Sequence, residues 1–243
     1  EEPASFVHFI LITSEPERVL PTISSRCQNV RFDPLPVLQI AGILERVGIE
    51  SIRAKSCAAL CGGDIELARE LATDDGDQMR SEAGRIVGCA LRGVSGRERP
   101  WEGVITRAQA AGELTEQRML GELAEAVEAF PAGREKTAAQ KEGEQAAHRA
   151  ARRVRAESLE KSLRICSLLL RDNAAADGGA ADQIMAVDRA DSIVKSAAGR
   201  KVGPLIAAAE EVENTRRMLS RNVAEDLTLQ ALSFKLDHLL AGV

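Results

Sequence analysis

The tripeptide Ser25-Arg26-Cys27 is the best candidate for chemistry in this sequence. The arginine guanidinium is planar and permanently charged, and its fork of donors can make two parallel hydrogen bonds to phosphate oxygens. The preceding residues indicate a short helix, and an arginine at the end of a helix can reach into a neighbouring molecule. We therefore predict that Arg26 acts on a phosphate group, with Ser25 and Cys27 as its motif neighbours. The alternative is an arginine that pairs with an acid at the helix end.

The residues around Arg26 predict a strand, a short helix and a second strand. Residues 6–13 are apolar and rich in β-branched and aromatic side chains, which is typical of a strand buried on both faces of a parallel sheet. Ser14 with Glu17 has the spacing of a capping box, and Pro21 ends the helix or starts a new one. Residues 28–32 form the second predicted strand. We interpret this segment as the end of an α/β core whose other strands precede it.

The rest of the chain predicts helices. Asp33–Pro36 marks a boundary, Asp64 is a good N-cap, and residues 74–77 have the composition of a linker. Three short helices are predicted at residues 37–47, 51–60 and 64–72. From residue 78 about five helices follow, with breaks near residues 93–100, 131–133, 177–180, 199–204 and at Asn222, and the last helix is apolar around most of its circumference. The predicted domains are residues 1–33, 34–75 and 76–243.

Composition agrees with a mainly α-helical protein. Hydrophobic residues make up 44% of the chain, which is enough for a core, while aromatic residues make up 2%. The formal net charge of -5 argues against a generally basic nucleic-acid surface but leaves a local patch possible. The five cysteines are irregularly spaced, which favours reduced thiols and a cytoplasmic location. The longest uncharged run is too short to span a bilayer, so no membrane contact is expected.

Other candidate sites are weaker. No Gly-Lys dipeptide occurs, so these residues contain no phosphate-binding loop of the kind that nucleotide hydrolysis needs. Cys57 and Cys61 share a helix face, but the other cysteines and the scattered histidines do not complete a metal site, and we expect no metal and buried structural thiols. A basic cluster contains His148, Arg149, Arg152, Arg153 and Arg155. It either contacts DNA phosphates or an acidic partner, or is a solvated face paired with Glu144, Glu157 and Glu160.

Three stretches of the sequence resemble bacterial AAA+ clamp-loader subunits of DNA polymerase III. The first is the run Thr13-Ser-Glu-Pro, Leu20-Pro-Thr-Ile and Ser25-Arg-Cys27. The second, Gly62-Gly-Asp-Ile-Glu66-Leu-Ala68, is similar to the family's Gly-Gly-Asp-x-Arg-x-Ala motif. The third is the ending Asn222-Val-Ala-Glu-Asp-Leu-Thr-Leu-Gln-Ala-Leu232, which is similar to the delta-prime class within this family.

The resemblance implies a fold and a role. The fold would be the remnant of an α/β AAA+ core with two strands, a three-helix lid and an all-α collar that associates with other subunits. Arg26 would be an arginine finger that completes the ATP site of a neighbouring gamma/tau subunit, so that ATP binds the neighbour and this chain binds no cofactor. Thr13 occupies a position similar to that of a γ-phosphate sensor. Glu66 replaces the arginine that contacts nucleotide in the family, and this charge reversal points to an unused site.

The resemblance also implies partners. They would be gamma/tau and delta subunits in a hetero-oligomeric ring, the β sliding clamp, and primed DNA reached through the assembly. The chain would then have no catalytic site of its own but would be a subunit of a DNA-directed DNA polymerase holoenzyme, a nucleotidyltransferase. Two alternatives stay open at this point: an ATP-hydrolysing gamma/tau-type subunit whose phosphate loop lies upstream, and a purely structural helical scaffold.

Overall fold

The computed structural model describes residues 6–13, 15–128, 133–219 and 223–241. The chain divides into two compact units, Glu1–Pro34 and Leu35–Val243. The described residues form helices and irregular segments without strands, so the prediction of a mainly α-helical protein is confirmed. The two predicted strands are wrong for the described residues.

The first unit contains a 3₁₀ turn, Pro16–Arg18, and one short helix, α1 (Pro21–Ser24). Residues 7–13 and 28–34, where the strands were predicted, have no regular structure. A strand is stable when a neighbouring strand pairs with its backbone N–H and C=O groups, and the described part of this unit offers no such neighbour. Side chains expected in a sheet are accordingly exposed, with Ile10 and Ile12 at 87% and 94%.

Local signals around the short helix were partly predicted. Ser14, the expected cap, lies outside the described residues. The hydroxyl Oγ1 of Thr13 instead accepts a hydrogen bond from the backbone N–H of Glu15 at 3.0 Å. Pro21 occupies the first position of α1, where its missing N–H leaves no bond unmade. It therefore starts a new helix, one of the two outcomes that the sequence allowed.

The second unit begins with the three short helices that the sequence predicted: α2 (Val37–Arg46), α3 (Ser51–Leu60) and α4 (Ile65–Leu71). Asp64 caps α4 as expected, because its Oδ1 accepts hydrogen bonds from the backbone N–H groups of Glu66 and Leu67 at 3.0 and 3.1 Å. The assignment of these helices to a lid stays a prediction.

The predicted linker at residues 74–77 is wrong, because these residues are the first turn of helix α5 (Asp74–Arg92). The hydroxyl of Thr73 caps this helix by accepting a hydrogen bond from the backbone N–H of Gly76 at 3.1 Å. Three aspartates in the first turn add favourable interactions with the helix dipole. Gly76 also lies so close to α4 that a Cβ atom there would be 2.1 Å from the carbonyl oxygen of Glu70.

Helices of four to 44 residues make up most of the remaining chain. They are α6 (Ser95–Glu98), α7 (Trp101–Glu128), α8 (Arg134–Asp177), α9 (Ala190–Ala197), α10 (Val202–Leu219) and α11 (Glu225–Ala241), with 3₁₀ turns at Ala181–Gln183 and Val187–Arg189 between α8 and α9. The breaks lie near the predicted positions where the structure describes them, although the short helix α6 falls within the predicted break at residues 93–100 and α10 begins within the one at 199–204. Pro131 and Asn222 lie outside the described residues. The helical segment predicted between the breaks at 177–180 and 199–204 contains α9, but the sequence did not reveal the 3₁₀ turns that precede it.

Helix α8 runs through the centre of the second unit and packs against α5, α7, α9 and α10. Its buried leucines, Leu159, Leu163 and Leu170, belong to one core with Trp101 of α7 and Leu205 of α10. Helix α11 was expected to be buried on most sides. It buries one stripe (Leu229, Leu232, Leu236 and Leu240), whereas Leu227 and Phe234 are 65% and 47% exposed.

Candidate functional site

The turn Ser25–Cys27 directly follows helix α1 and is held by backbone hydrogen bonds. The N–H of Arg26 donates to the carbonyl oxygen of Ile23 at 3.0 Å, and the N–H of Cys27 donates to the carbonyl of Ser24 at 3.2 Å. Arg26 is exposed at this turn. A short helix and a fixed backbone therefore present the guanidinium at the surface of the first unit, as the sequence predicted for an arginine at a helix end.

Two other arginines of the first unit have carboxylate partners close in sequence. Arg18 binds Glu15 at 2.7 Å, and Arg31 binds Asp33 at 3.1 Å. All four side chains are more than half exposed, so each ion pair contributes at most about 1 kcal/mol to stability. Arg31 therefore provides a matched control for Arg26, since its removal takes the same charge from the same unit at little structural cost.

Thr13 has a local structural contact. Its hydroxyl oxygen accepts the hydrogen bond from Glu15 described above, and so helps to form the turn that leads into Pro16–Arg18. The hydroxyl hydrogen is still able to donate to another group. The role of Thr13 as a phosphate sensor stays a prediction.

Glu66 lies in the second unit, in the first turn of α4. Its backbone N–H is capped by Asp64, and its carboxylate binds Arg69 at 2.9 Å. Both side chains are more than half exposed. The positive end of the helix dipole favours an acidic residue in the first turn. Local structure alone therefore explains why an acid stands at Glu66. An acid here is also unsuited to contact phosphate.

The cysteines fall into two groups. Cys57, Cys61, Cys89 and Cys166 are buried, whereas Cys27 is exposed beside Arg26. Complete burial raises the pKa of the Cys166 thiol to about 12, and burial is also the main cause that raises the pKa of Cys57 and Cys61. Their burial agrees with the expectation of buried thiols and favours a structural role, because a thiol held protonated is a poor nucleophile. No group of three or more potential metal ligands occurs among the described residues.

An ion pair that the sequence did not predict joins three segments of the second unit, and it links a buried arginine to an aspartate whose side chain is 19% exposed. Arg80 of α5 is 1% exposed, and its Nη2 donates to both carboxylate oxygens of Asp188 at 2.5 and 2.6 Å and to the hydroxyl of Ser56 at 3.0 Å. Burial acts to raise the pKa of Asp188, but the hydrogen bonds from Arg80 and Ser56 outweigh it and hold that pKa below its usual value. The residues are more than a hundred positions apart, so no local pattern could have revealed the pair.

The basic cluster of α8 is only partly neutralised. Arg153 binds Glu157 at 3.3 Å, and Arg155 binds Glu225 of α11 at 2.5 Å. Arg149 and Arg152 are exposed and have no ion-pair or hydrogen-bond partner among the described residues. The interpretation of a fully paired, solvated face therefore holds for only part of the cluster.

Residues 1–36 match the family model described as DNA polymerase III, delta subunit. The match supports a relationship to DNA polymerase III clamp-loader subunits, and it covers the segment that carries Thr13 and Arg26. No curated protein and no solved structure matches the chain. Within the described residues, no helix is long and apolar enough to cross a membrane.

Proposed function

We propose that the chain is a non-hydrolysing clamp-loader subunit of the delta-prime type. In this role Arg26 acts in trans, in the ATP site of a neighbouring gamma/tau subunit, while the assembly loads the sliding β clamp onto primed DNA. The observation that carries the proposal is the match of residues 1–36 to the DNA polymerase III delta-subunit family, because the matched segment contains the arginine turn. The matching family is that of the delta subunit, and the delta-prime assignment is our own inference from the ending of the sequence.

The chemistry of Arg26 supports this role. Arg26 is exposed on a turn whose backbone is held by hydrogen bonds, a position from which a guanidinium can contact a site on another subunit. During phosphoryl transfer, an arginine supplied by a neighbour stabilises the charge that develops on the phosphate oxygens, and it raises the rate by roughly 10³–10⁵. ATP would therefore be bound by the neighbouring subunit and not by this chain.

Two features favour a subunit that does not hydrolyse ATP itself. The sequence contains no Gly-Lys dipeptide. Glu66 also stands at the position where the family that this chain resembles has an arginine that contacts nucleotide. An acid at that position would repel phosphate. Both features argue against the gamma/tau-type alternative.

The helices beyond Pro36 would associate with the other subunits of the ring. Leu227 and Phe234 are exposed on α11, the helix whose sequence resembles the family's ending. Exposed apolar side chains on a helix of this kind are suited to contacts with another subunit, and such contacts distinguish the collar from a scaffold with no partner.

The experiment that tests this proposal measures ATP turnover by the protein alone and by the complex with gamma/tau, delta, clamp and primed DNA. We expect no turnover from the protein alone and stimulated turnover in the complex that depends on its presence. Turnover by the protein alone at the rate of the complex would contradict the proposal and favour the gamma/tau-type alternative.

A further inference from the structure

The second half of α7 and the first part of α8 form an antiparallel pair of helices, residues 113–128 and 134–150, that we call the arm. The pairing is shown by the approach of Leu123 to Gly143 and by the contact of Glu116 with His148, whose carboxylate and ring nitrogen are 3.4 Å apart. Each helix of the arm turns one stripe of residues away from solvent. The stripe contains Thr115, Met119, Leu123 and Val127 on α7 and Ala139, Gly143, Ala147 and Ala150 on α8. The remaining faces of the arm are therefore open to solvent.

The outer face of α8 carries three basic residues that we call the ridge: Lys141, Arg149 and Arg152. At 3.6 residues per turn, these residues lie on the side of α8 opposite the stripe that packs on α7. Lys141, Arg149 and Arg152 are exposed and have no ion-pair or hydrogen-bond partner in the part of the chain that the structure describes. The ridge therefore keeps its positive charge available.

The acids that could neutralise the ridge are placed elsewhere. Glu144 accepts a hydrogen bond from Gln140 at 3.1 Å, Glu157 binds Arg153, and Glu160 binds Arg216. Glu142 and Glu144 flank only the Lys141 end. Residues 145–156 contain four arginines and one histidine but no acid, in a chain whose formal net charge is -5. This concentration of one sign of charge is local and is not an average property of the surface.

We propose that the ridge binds the phosphate backbone of double-stranded DNA without reading its sequence. Guanidinium groups one helical turn apart suit phosphate oxygens, which accept their paired donors. The rise from Lys141 to Arg152 is about 16 Å on a straight helix, which exceeds the roughly 12 Å width of the major groove, so a rigid ridge can contact both strands of a duplex. Single strands are usually bound through aromatic stacking, and the described residues of the arm contain no Phe, Tyr or Trp.

This inference adds a DNA contact to the proposed function and rests on it for the choice of DNA over other polyphosphates. The test measures the affinity of the purified protein for a fluorescent 30-base-pair duplex at several salt concentrations. We expect the variant Arg149→Gln/Arg152→Gln to bind about tenfold more weakly at low salt. Because each lost phosphate contact lowers the slope of log K against log salt by about 0.9, the slope should fall by about 1.8.

The matched control is Arg85→Gln/Arg171→Gln. Both residues are exposed arginines of the same unit and have no ion-pair or hydrogen-bond partner among the described residues, so the control removes the same total charge away from the ridge. Equal weakening in the two double variants would show an effect of net charge alone and would overturn the proposal, as would unchanged binding in the ridge variant. Equal or tighter binding to a single-stranded oligonucleotide of the same length would overturn the assignment to duplex.

A second set of measurements separates the ridge from competing roles. Loss of binding to polyglutamate in the ridge variant, with unchanged affinity for the duplex, would assign the ridge to an acidic protein partner and contradict the proposal. Failure of the ridge is also distinguishable from failure of the arginine finger. The variant Arg26→Ala should leave the affinity for the duplex unchanged, and the ridge variant should keep its ATP turnover in the complex at saturating DNA.

Discussion

Replacement of Arg26 by alanine is expected to lower the clamp- and DNA-stimulated ATP turnover of the reconstituted complex by about 10³-fold or more at the sites that this residue completes. The guanidinium stabilises charge that develops only as the phosphoryl group is transferred, so its loss acts on turnover more than on ATP binding. Assembly should persist, because Arg26 is exposed and the backbone bonds of its turn do not involve its side chain. Turnover of the complex under saturating ATP, clamp and primed DNA is the measurement.

The control variant for this prediction is Arg31→Ala. It removes one positive charge from the same unit, where the side chain is 88% exposed and binds the neighbouring Asp33. We expect turnover within twofold of the wild type for Arg31→Ala, and normal co-elution with gamma/tau and delta for both variants. Unchanged turnover in Arg26→Ala complexes that assemble normally would exclude the finger role and favour a purely structural subunit.

The variant Asp188→Asn is expected to destabilise the second unit by about 3 kcal/mol at neutral pH, because it leaves the buried guanidinium of Arg80 without its carboxylate partner. Arg80 would keep Ser56 and a weaker contact with Asp77, whose Oδ1 lies 3.8 Å from Nη1. The free energy of unfolding in urea measures the effect. Asp182→Asn is the control, since Asp182 is exposed and its carboxylate accepts a hydrogen bond from the adjacent Gln183.

The pH dependence of that destabilisation follows from the lowered pKa of Asp188. The folded protein holds this pKa below the ordinary value of 3.8 that applies to the unfolded chain. The ionised carboxylate therefore stabilises the folded state fully above that ordinary value, and this contribution is lost as the pH falls through the folded pKa. The stability difference between wild type and Asp188→Asn should be largest near neutral pH and should shrink below about pH 4. A difference that is independent of pH would contradict the ion pair.

Local chemistry explains which helices could be predicted from the sequence. Asp64 caps α4 through two backbone N–H groups, and Gly93, with a φ of 65°, ends α5 in the left-handed conformation that glycine adopts readily. Such signals depend on residues within one turn of the helix end. They therefore identify helices without knowledge of the tertiary structure.

Other features depend on contacts that are distant in sequence. Residues 6–13 have the composition of a strand, but a strand also needs a paired neighbour, and composition does not provide one. The acidic run Asp74–Asp77 has the composition of a linker, yet the cap at Thr73 and the close packing of Gly76 on α4 make it the start of a helix. Residues 6–13 lack a pairing partner among the described residues. The cap at Thr73, in contrast, is a local signal within one turn of the helix start, and the acidic composition of the run obscured it.

Some features of the candidate site could likewise be predicted from the sequence, and others could not. The place of Arg26 directly after a short helix could be predicted, and the structure has this turn after α1. The open ridge on α8 could not, because the sequence offered Glu144, Glu157 and Glu160 as partners, and only the structure assigns them to Gln140, Arg153 and Arg216. Whether a basic side chain is neutralised therefore depends on which partners the surrounding acids bind.

The most direct test of the central claim is the affinity of the complex for a transition-state analogue, ADP with aluminium fluoride, compared with its affinity for ADP alone. The analogue imitates the planar phosphoryl group that an arginine finger stabilises, whereas ADP lacks it. If Arg26 acts in trans, Arg26→Ala should weaken binding of the analogue at least a hundredfold and leave the affinity for ADP unchanged. Equal binding of the analogue by wild-type and Arg26→Ala complexes would contradict the claim.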